Sequence, residues 1–190
     1  GADRGGHAPS VAQISGRWPA RARYDRGMTV HSPAPRRSAE EQARLDAALA
    51  DLFQRRITFN QTLGLQIESA CAPEPRIRLV MRPELVGHYL YGQLHGGVIS
   101  AMLDAMGGLA LMVATGEKHA DETTQQVVHR FAKMSTIDLR VDYLQPGIGA
   151  SFSATAMVTR LGGRIGSTQM RLTSDHGTLI ATAAAAYVIA

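Results

Sequence analysis

The most apolar part of this chain is the run of residues 96–114, in which Asp104 is the only charged residue. A segment of this length that is apolar on nearly every face is typical of a buried helix. Because an isolated carboxylate is costly to bury, Asp104 is expected to be hydrogen-bonded, paired or used in function. Asp104 and several glycines interrupt the run, whereas a membrane-spanning helix needs about 20 strongly apolar residues. The pattern therefore predicts a buried helix that carries a carboxylate.

Alternation of apolar and polar residues predicts strands around this helix. The predicted strands cover residues 63–68, 76–81, 136–144, 151–161, 165–173 and 178–189. A second helix is predicted over residues 39–55, because Ser38 and Glu41 have the spacing of a capping box and residues 58–61 break the helical period. Residues 83–91 and 115–133 lack a clear period and are interpreted as connections. The fold class is therefore α+β, with a mostly antiparallel β-sheet wrapped around a long central α-helix.

Basic residues are concentrated at the N terminus of the chain. Residues 1–37 contain seven Arg and two Asp, whereas residues 38–190 contain thirteen basic and fourteen acidic residues. A nucleic-acid-binding domain carries its basic surface on the folded part, so this distribution argues against one. We expect a disordered basic N-terminal tail over residues 1–37 and a single domain over residues 38–190, so that deletion of the tail leaves the fold intact.

The origin of the basic tail is open to three interpretations. It could be an Arg-rich targeting peptide, a segment that binds an anionic surface, or sequence upstream of a translation start at Met28. We favour the third, because the tail has no clear amphipathic helix and Gly1 is not a methionine. No apolar stretch of a secretory signal is visible, and the single cysteine, Cys71, excludes a disulfide within the chain. These features favour a cytoplasmic protein.

The start of the apolar helix carries the strongest candidate chemistry. His95, Gly96 and Gly97 form a turn in which the glycines allow a tight backbone and the close approach of a ligand. Free N–H groups at a helix start, together with the helix dipole, favour negative charge on a nearby oxygen. Gly96 and Asp104 are eight residues apart, roughly 12 Å along a helix. A donor and a base must each lie about 3 Å from the reacting group, so we infer an obligate dimer in which two antiparallel copies share a site.

The order of motifs in this chain resembles that of a known enzyme family. The motifs are His95-Gly96-Gly97, Asp104 nine residues after His95, the strand that runs from Ile137 to Gly147, and the three closing strands. In this order they resemble the hotdog-fold acyl-CoA thioesterases of the phenylacetate-pathway and hydroxybenzoyl-CoA type. The resemblance covers about residues 38–190. It implies hydrolysis of acyl-CoA to a carboxylic acid and CoA by a homodimer or a dimer of dimers. From the charge distribution and the interrupted apolar run, neither nucleic acid nor a membrane is expected as a partner.

The resemblance also implies roles for individual residues. Asp104 matches the catalytic carboxylate, which acts as nucleophile or as general base on water, and the Gly96 N–H matches the donor that polarises the thioester carbonyl. Thr136 matches a hydroxyl residue that helps to place the attacking water, and His95 matches a residue that organises the site. No cofactor is implied beyond the coenzyme A of the substrate, and the histidines lack the spacing of metal ligands.

Substrate-binding candidates are less specific. The family's Asn or Gln before the motif histidine falls here on Tyr89, and Gln93 or His88 could take its place. Gly97 lets a ligand approach, and Phe59 is a candidate for the acyl pocket, although core packing explains Phe59 equally well. Arg160 and Arg164 flank a predicted turn, where they could meet CoA phosphates or be a solvated hairpin end.

Two other functions are compatible with the same sequence. One is a module that binds or senses acyl-CoA without turnover, and the absence of Asn or Gln at Tyr89 favours it. The other is an enoyl-thioester hydratase on the same fold. That reaction requires a His–acid pair acting on a β-carbon, so the helix-start donor and Asp104 fit hydrolysis better.

Overall fold

A six-stranded antiparallel sheet and one long helix make up most of the computed structural model, which describes residues 36–189. The helices are α1 (Ala39–Asp51), α2 (Thr58–Leu63), α3 (Gly96–Lys118) and α4 (Thr124–Arg130). The strands are β1 (Gln66–Ser69), β2 (Arg76–Val80), β3 (Val86–His88), β4 (Gln93–Leu94), β5 (Ser135–Tyr143), β6 (Ser151–Leu161), β7 (Ile165–Ser174) and β8 (Leu179–Val188). The large sheet has the order β1-β2-β6-β7-β8-β5, and β3 pairs with β4 separately.

The helix α3 packs against one face of this sheet and forms the centre of the core. Its side chains Met102, Leu103 and Met106 are fully buried, as are Phe152 of β6 and Leu172 of β7 on the facing strands. This burial explains why residues 96–114 are almost entirely apolar. By length and composition α3 could cross a membrane, but 56% of its most apolar window is buried inside the protein, as in the core helix of a globular domain. The predicted sheet around a central helix is confirmed.

One side of α3 is not covered by the sheet. A stripe along the helix, called here the open stripe, is formed by partly or fully exposed residues at a spacing of three or four positions: Gly97, Ala101, the adjacent pair Asp104 and Ala105, and Gly108. The large sheet ends at β5, so no further strand of the described chain covers this side. The prediction that Asp104 is buried is therefore wrong for the single chain, in which its side chain is partly exposed at the level of the edge strand.

Three predicted connections contain regular structure. Residues 115–133 were expected to be a long loop, but α3 extends to Lys118 and α4 follows, with a capping box formed by Thr123 and Gln126. Residues 83–91 include a 3₁₀ turn, Pro83–Leu85, and the strand β3. The predicted break at residues 58–61 is also wrong, since α2 occupies it and the chain bends at Ile57 instead.

The predicted helix over residues 39–55 is confirmed, but the first predicted strand begins later in the chain than expected. α1 continues as a π-helical turn, Leu52–Arg56, and the strand expected at residues 63–68 begins only at Gln66. The reason is Gly64, which ends α2 with φ +73°, a left-handed conformation that glycine adopts without a steric penalty.

The predicted capping box at Ser38 is half correct. The Ser38 hydroxyl accepts a hydrogen bond from the Glu41 N–H at 3.2 Å. The Glu41 carboxylate, however, accepts from the N–H of Thr124 at 2.6 Å and pairs with Arg44, instead of turning back to Ser38. Glu41 therefore connects α1 to the first residue of α4, and these helices share a small core with the end of α3.

The expected tail lies outside the described residues except for its last two positions, Arg36 and Arg37. Arg36 pairs with Glu117 at 2.7 Å. The Arg37 guanidinium donates to the carbonyls of Gly116 at 2.7 Å and His119 at 2.5 Å, at the C-terminal end of α3. The described domain therefore begins at least two residues before the predicted boundary at residue 38.

Candidate active site

His95 organises the start of α3. It is the N-cap residue, and its Nδ1 accepts a hydrogen bond from the Gly97 N–H at 2.8 Å. The backbone N–H of His95 donates to the carbonyl of Leu85 at 2.9 Å, which fixes the turn to the segment before β3. A Cβ at Gly97 would lie 3.0 Å from the His95 Nδ1, so a larger residue there would press against the imidazole. The second glycine of the motif thus makes room for the capping side chain.

Gly96 presents a free backbone donor. Its N–H has no hydrogen-bond acceptor among residues 36–189, as expected at the first position of a helix. Its carbonyl is held by the Tyr143 hydroxyl, which donates to it at 3.0 Å. Two residues before Gly96, Leu94 donates its N–H to the carbonyl of Gly147 at 2.8 Å, so the turn after β5 also supports the motif. The Gly97 N–H is occupied by His95, which leaves Gly96 as the donor that a ligand can use.

Asp104 meets Thr136 on the edge strand. The Thr136 hydroxyl donates to Asp104 Oδ1 at 2.9 Å. Thr136 is opposite Tyr187 of β8, and both face α3, because the β-bulge at Ile137 sets the register of β5. The carboxylate therefore accepts a hydrogen bond from the edge strand and faces the open stripe. These two residues are 32 positions apart in the sequence, and the sequence motif did not indicate that they are in contact.

The two candidate catalytic groups, the Gly96 N–H and the Asp104 carboxylate, lie on one unbroken helix. α3 runs without interruption from Gly96 to Lys118. A rise of about 1.5 Å per residue separates Gly96 and Asp104 by roughly 12 Å. Tyr143 contacts Gly96 at one end of β5, and Thr136 contacts Asp104 at the other end. In one chain, therefore, the free donor and the carboxylate cannot touch the same carbonyl group.

The predicted binding residues His88, Tyr89 and Gln93 belong to the short β3–β4 hairpin. His88 pairs with Gln93, directly before the turn at His95. The His88 Nδ1 is shielded from solvent and has no hydrogen-bond partner among the described residues, while its ring stacks on Tyr89 with a centroid distance of 5.7 Å. Tyr89 itself is 86% exposed. His88 and Gln93 are therefore next to the motif, whereas Tyr89 lies on the surface of the hairpin.

The other binding candidates are not brought to Gly96 in the single chain. Phe59 is on α2 and is 58% exposed. Arg160 and Arg164 are exposed at the β6–β7 hairpin, where the Lys118 Nζ donates to the carbonyl of Gly162 at 3.4 Å. This hairpin is therefore near the C-terminal end of α3, at the other end of the helix from Gly96.

Two tyrosines complete the site and were not predicted. Tyr143 holds the carbonyl of Gly96, and the Tyr187 hydroxyl donates to the backbone carbonyl of Asp104 at 2.9 Å. Both occupy inward positions of alternating strands, which is the only signal that the sequence offers for them. Among residues 36–189, no group of three His, Cys, Asp or Glu residues could hold a metal ion.

Comparisons with known proteins show the family to which the chain is similar. The family model of the thioesterase superfamily matches residues 91–181, which include Gly96, Asp104 and Thr136. The medium/long-chain acyl-CoA thioesterase YigI of Escherichia coli K12 is 32% identical over 152 residues, which span 80% of this chain and 96% of that protein.

Solved structures support the same assignment. A crystal structure of a Shewanella oneidensis protein related to the thioesterase superfamily has a TM-score of 0.73 and 34% identity, and the match covers 78% of this chain and 97% of that one. A thioesterase family protein from Silicibacter pomeroyi, at 21% identity, shares the fold with a TM-score of 0.59 over 76% of this chain and 96% of its own. The predicted hotdog fold is confirmed. The chain belongs to the thioesterase superfamily.

Proposed function

We propose that this protein hydrolyses acyl-CoA thioesters to a carboxylic acid and CoA. The observation that carries the proposal is the hydrogen bond from Thr136 to the Asp104 carboxylate, on the side of α3 that the sheet leaves open. Family membership supports thioester hydrolysis, and the identity to an acyl-CoA thioesterase supports CoA as the carrier. Because that relative is described as acting on medium and long chains, such acyl groups are the first substrates to test.

The Asp104 carboxylate acts on the thioester as a general base or as a nucleophile. As a base, it takes a proton from a water molecule whose oxygen bonds to the carbonyl carbon, and the C=O electron pair moves onto the carbonyl oxygen. The tetrahedral intermediate then collapses, the C–S bond breaks, and the CoA sulfur leaves with the proton that Asp104 had accepted. As a nucleophile, an Asp104 oxygen bonds to the carbonyl carbon, the C–S bond breaks and CoA leaves as a thiolate; water then hydrolyses the mixed anhydride, which releases the carboxylic acid and regenerates the Asp104 carboxylate.

The Gly96 N–H supplies the donor for the oxyanion. It is unpaired and lies at the positive end of the α3 dipole, which favours negative charge on a ligand oxygen. Because Gly96 and Asp104 are roughly 12 Å apart on one helix, the two groups that act on one carbonyl come from two chains. The open stripe, made of small residues around Asp104, is the surface on which a second antiparallel α3 would lie.

His95 favours hydrolysis over hydration of a double bond. Its Nδ1 lone pair is occupied by the Gly97 N–H, so this nitrogen cannot take a proton from a substrate. The hydratase reaction requires a His–acid pair acting on a β-carbon, and a histidine whose Nδ1 is engaged in the helix cap has only its Nε2 left for that task. The N-cap contact of His95 supports a role for this residue as organiser of the site.

The decisive experiment measures thiol release from a panel of acyl-CoAs. We expect turnover by the wild type, and a loss of at least about 100-fold in Asp104→Asn if the carboxylate is the base or nucleophile. Asp142→Asn is the matched control, because Asp142 is an exposed carboxylate paired with Arg140 on the outer side of β5. Tight acyl-CoA binding without thiol release would support the sensing alternative, and conversion of an enoyl-CoA at its double bond would support the hydratase.

A second experiment tests whether two chains share the site. Gly96→Pro removes the N–H at the first helical position, where proline is tolerated, and His95 before it already has an extended conformation that suits a following proline. If each site takes Gly96 from one chain and Asp104 from the other, mixing inactive Gly96→Pro and Asp104→Asn chains restores about a quarter of wild-type activity after random exchange. No recovery, despite demonstrated exchange of subunits, would contradict the shared site.

A further inference from the structure

We propose that Tyr187 is a positioning residue for the catalytic carboxylate, through its hydrogen bond to the backbone of Asp104; this inference depends on the proposed role of Asp104. Tyr187 and Thr136 are direct cross-strand neighbours on β8 and β5. Thr136 donates to the Asp104 side chain at 2.9 Å, and Tyr187 donates to the Asp104 carbonyl at 2.9 Å. One pair of neighbouring residues on the sheet therefore holds both the side chain and the main chain of Asp104.

The two contacts differ in rigidity. Thr136 is exposed on an edge strand, so its hydroxyl can exchange its partner for water. Tyr187 is 2% exposed and lies on β8, which is paired on both sides by β7 and β5. Because Tyr187 is buried on a strand that is paired on both sides, the position of its hydroxyl is fixed. The hydroxyl therefore fixes the distance of α3 from the sheet, and the rotation of the helix, at Asp104.

Gly107 provides the space for this contact. A Cβ at Gly107 would lie 2.3 Å from the Tyr187 hydroxyl oxygen and 2.9 Å from the Thr168 hydroxyl oxygen. Any side chain at this position would therefore displace the tyrosine from the helix. The Asp104 carbonyl already accepts the helical hydrogen bond from four residues further along, and its second lone pair is free for the tyrosine. The absence of a side chain at position 107 is thus explained by the hydroxyl that reaches α3 there.

Tyr187 acts as a hydrogen-bond donor and not as an acid or base. Burial, followed by the negative charge of Asp104 and the hydrogen bond to it, raises the pKa of Tyr187 far above its ordinary value. The Thr168 hydroxyl opposes this rise, but the net direction keeps the phenol protonated. The hydroxyl therefore donates at every pH at which the enzyme works, and it does so to the backbone that carries the reacting carboxylate.

The test is Tyr187→Phe, which removes one oxygen atom and keeps the ring. We expect kcat to fall by about ten- to a hundredfold with KM changed less than about twofold, because a displacement of about 1 Å at a reacting group costs rate more than binding. Thr115→Val is the matched control: it also removes a buried hydroxyl from the core, but this hydroxyl lies near the far end of α3 and has no hydrogen-bond partner among the described residues. Wild-type kcat in Tyr187→Phe would overturn the proposal.

A measurement in the Asp104→Asn background separates positioning from general loosening of the fold. If Tyr187 acts only through the carboxylate, adding Tyr187→Phe to Asp104→Asn leaves the residual rate unchanged. A general structural role would lower the rate by the same factor in both backgrounds, and would overturn the proposal. If Asp104→Asn is itself fully active, the proposed catalytic role of Asp104 fails, so the two failures are distinguishable.

Gly107→Ala tests the same contact from the helix side. The added methyl group pushes against the Tyr187 hydroxyl, so kcat is expected to fall by about tenfold or more for the same geometric reason. Once Tyr187→Phe has removed the hydroxyl, adding Gly107→Ala should lower kcat by a smaller factor than it does in the wild type. Equal factors in the two backgrounds would contradict a role for this contact. Circular dichroism at the assay temperature ensures that only folded enzyme is compared.

Discussion

The hydrogen bond between Thr136 and Asp104 leads to the most direct prediction about catalysis. Thr136→Val keeps the β-branched shape that an edge strand favours but removes the hydroxyl that donates to Asp104 Oδ1 at 2.9 Å. A hydrogen bond to a charged group contributes about 1.5–3 kcal/mol. Because Thr136 is exposed and water competes for the carboxylate, we take the value as about 1 kcal/mol. Since about 1.4 kcal/mol corresponds to a tenfold change in rate, kcat/KM should fall by about fivefold.

The assay for this prediction is thiol release from the best acyl-CoA of the panel, with Thr136→Ser as the matched variant. Serine keeps the hydroxyl, so its kcat/KM should stay within about twofold of the wild type. The unfolding free energy of Thr136→Val should change by no more than about 0.5 kcal/mol, because the side chain is exposed. Equal kcat/KM in Thr136→Val and the wild type, with Asp104→Asn inactive, would refute the view that this hydroxyl assists the carboxylate.

Two further predictions concern stability. Gly166→Ala places a methyl group 2.5 Å from Cδ2 of the fully buried Leu111, and this overpacking should lower the unfolding free energy, measured in urea, by about 1–3 kcal/mol. The double variant with Leu111→Ala should lose less unfolding free energy than the sum of the two single losses, and strict additivity would contradict the contact. The hydrogen bonds from Thr124, followed by the contact with Arg44, lower the pKa of Glu41 from 4.5 to about 2. The wild type should therefore have a larger unfolding free energy than Glu41→Gln, with the full difference above pH 4.5 and a difference that is lost as pH falls toward 2. An undiminished difference at pH 2 would refute this reasoning.

Sequence periodicity was sufficient for the centre of the fold. The apolar run identified α3, and alternation over nine or more residues identified both ends of each strand from β5 to β8 to within one residue. Short elements were missed for a physical reason. The strands β3 and β4 have three and two residues, too few to display a period, and they are held by the backbone bonds of His95 and Leu94. The helix α4 was missed although Thr123 and Gln126 have the capping-box spacing, because its seven residues carry little apolar periodicity.

The candidate site was only partly readable from sequence. The motif pointed to Gly96, His95 and Asp104, because a helix start and an isolated carboxylate are local features. Tyr187 could not be inferred in this way, since its role depends on which residue of β5 it faces and on the empty position at Gly107. The exposure of Asp104 was misjudged for a related reason: an apolar sequence does not indicate where a sheet ends.

The contact of Arg37 with the end of α3 has a practical consequence for preparing shorter versions of the protein. Removal of residues 1–37 would also remove the guanidinium that binds the carbonyls of Gly116 and His119. These carbonyls lie at the negative end of the helix dipole, where a cation is stabilising. A version of the chain shortened at its N terminus for crystallisation should therefore begin no later than Arg36. A cut two residues later would remove this contact and allow the C-terminal end of α3 to fray.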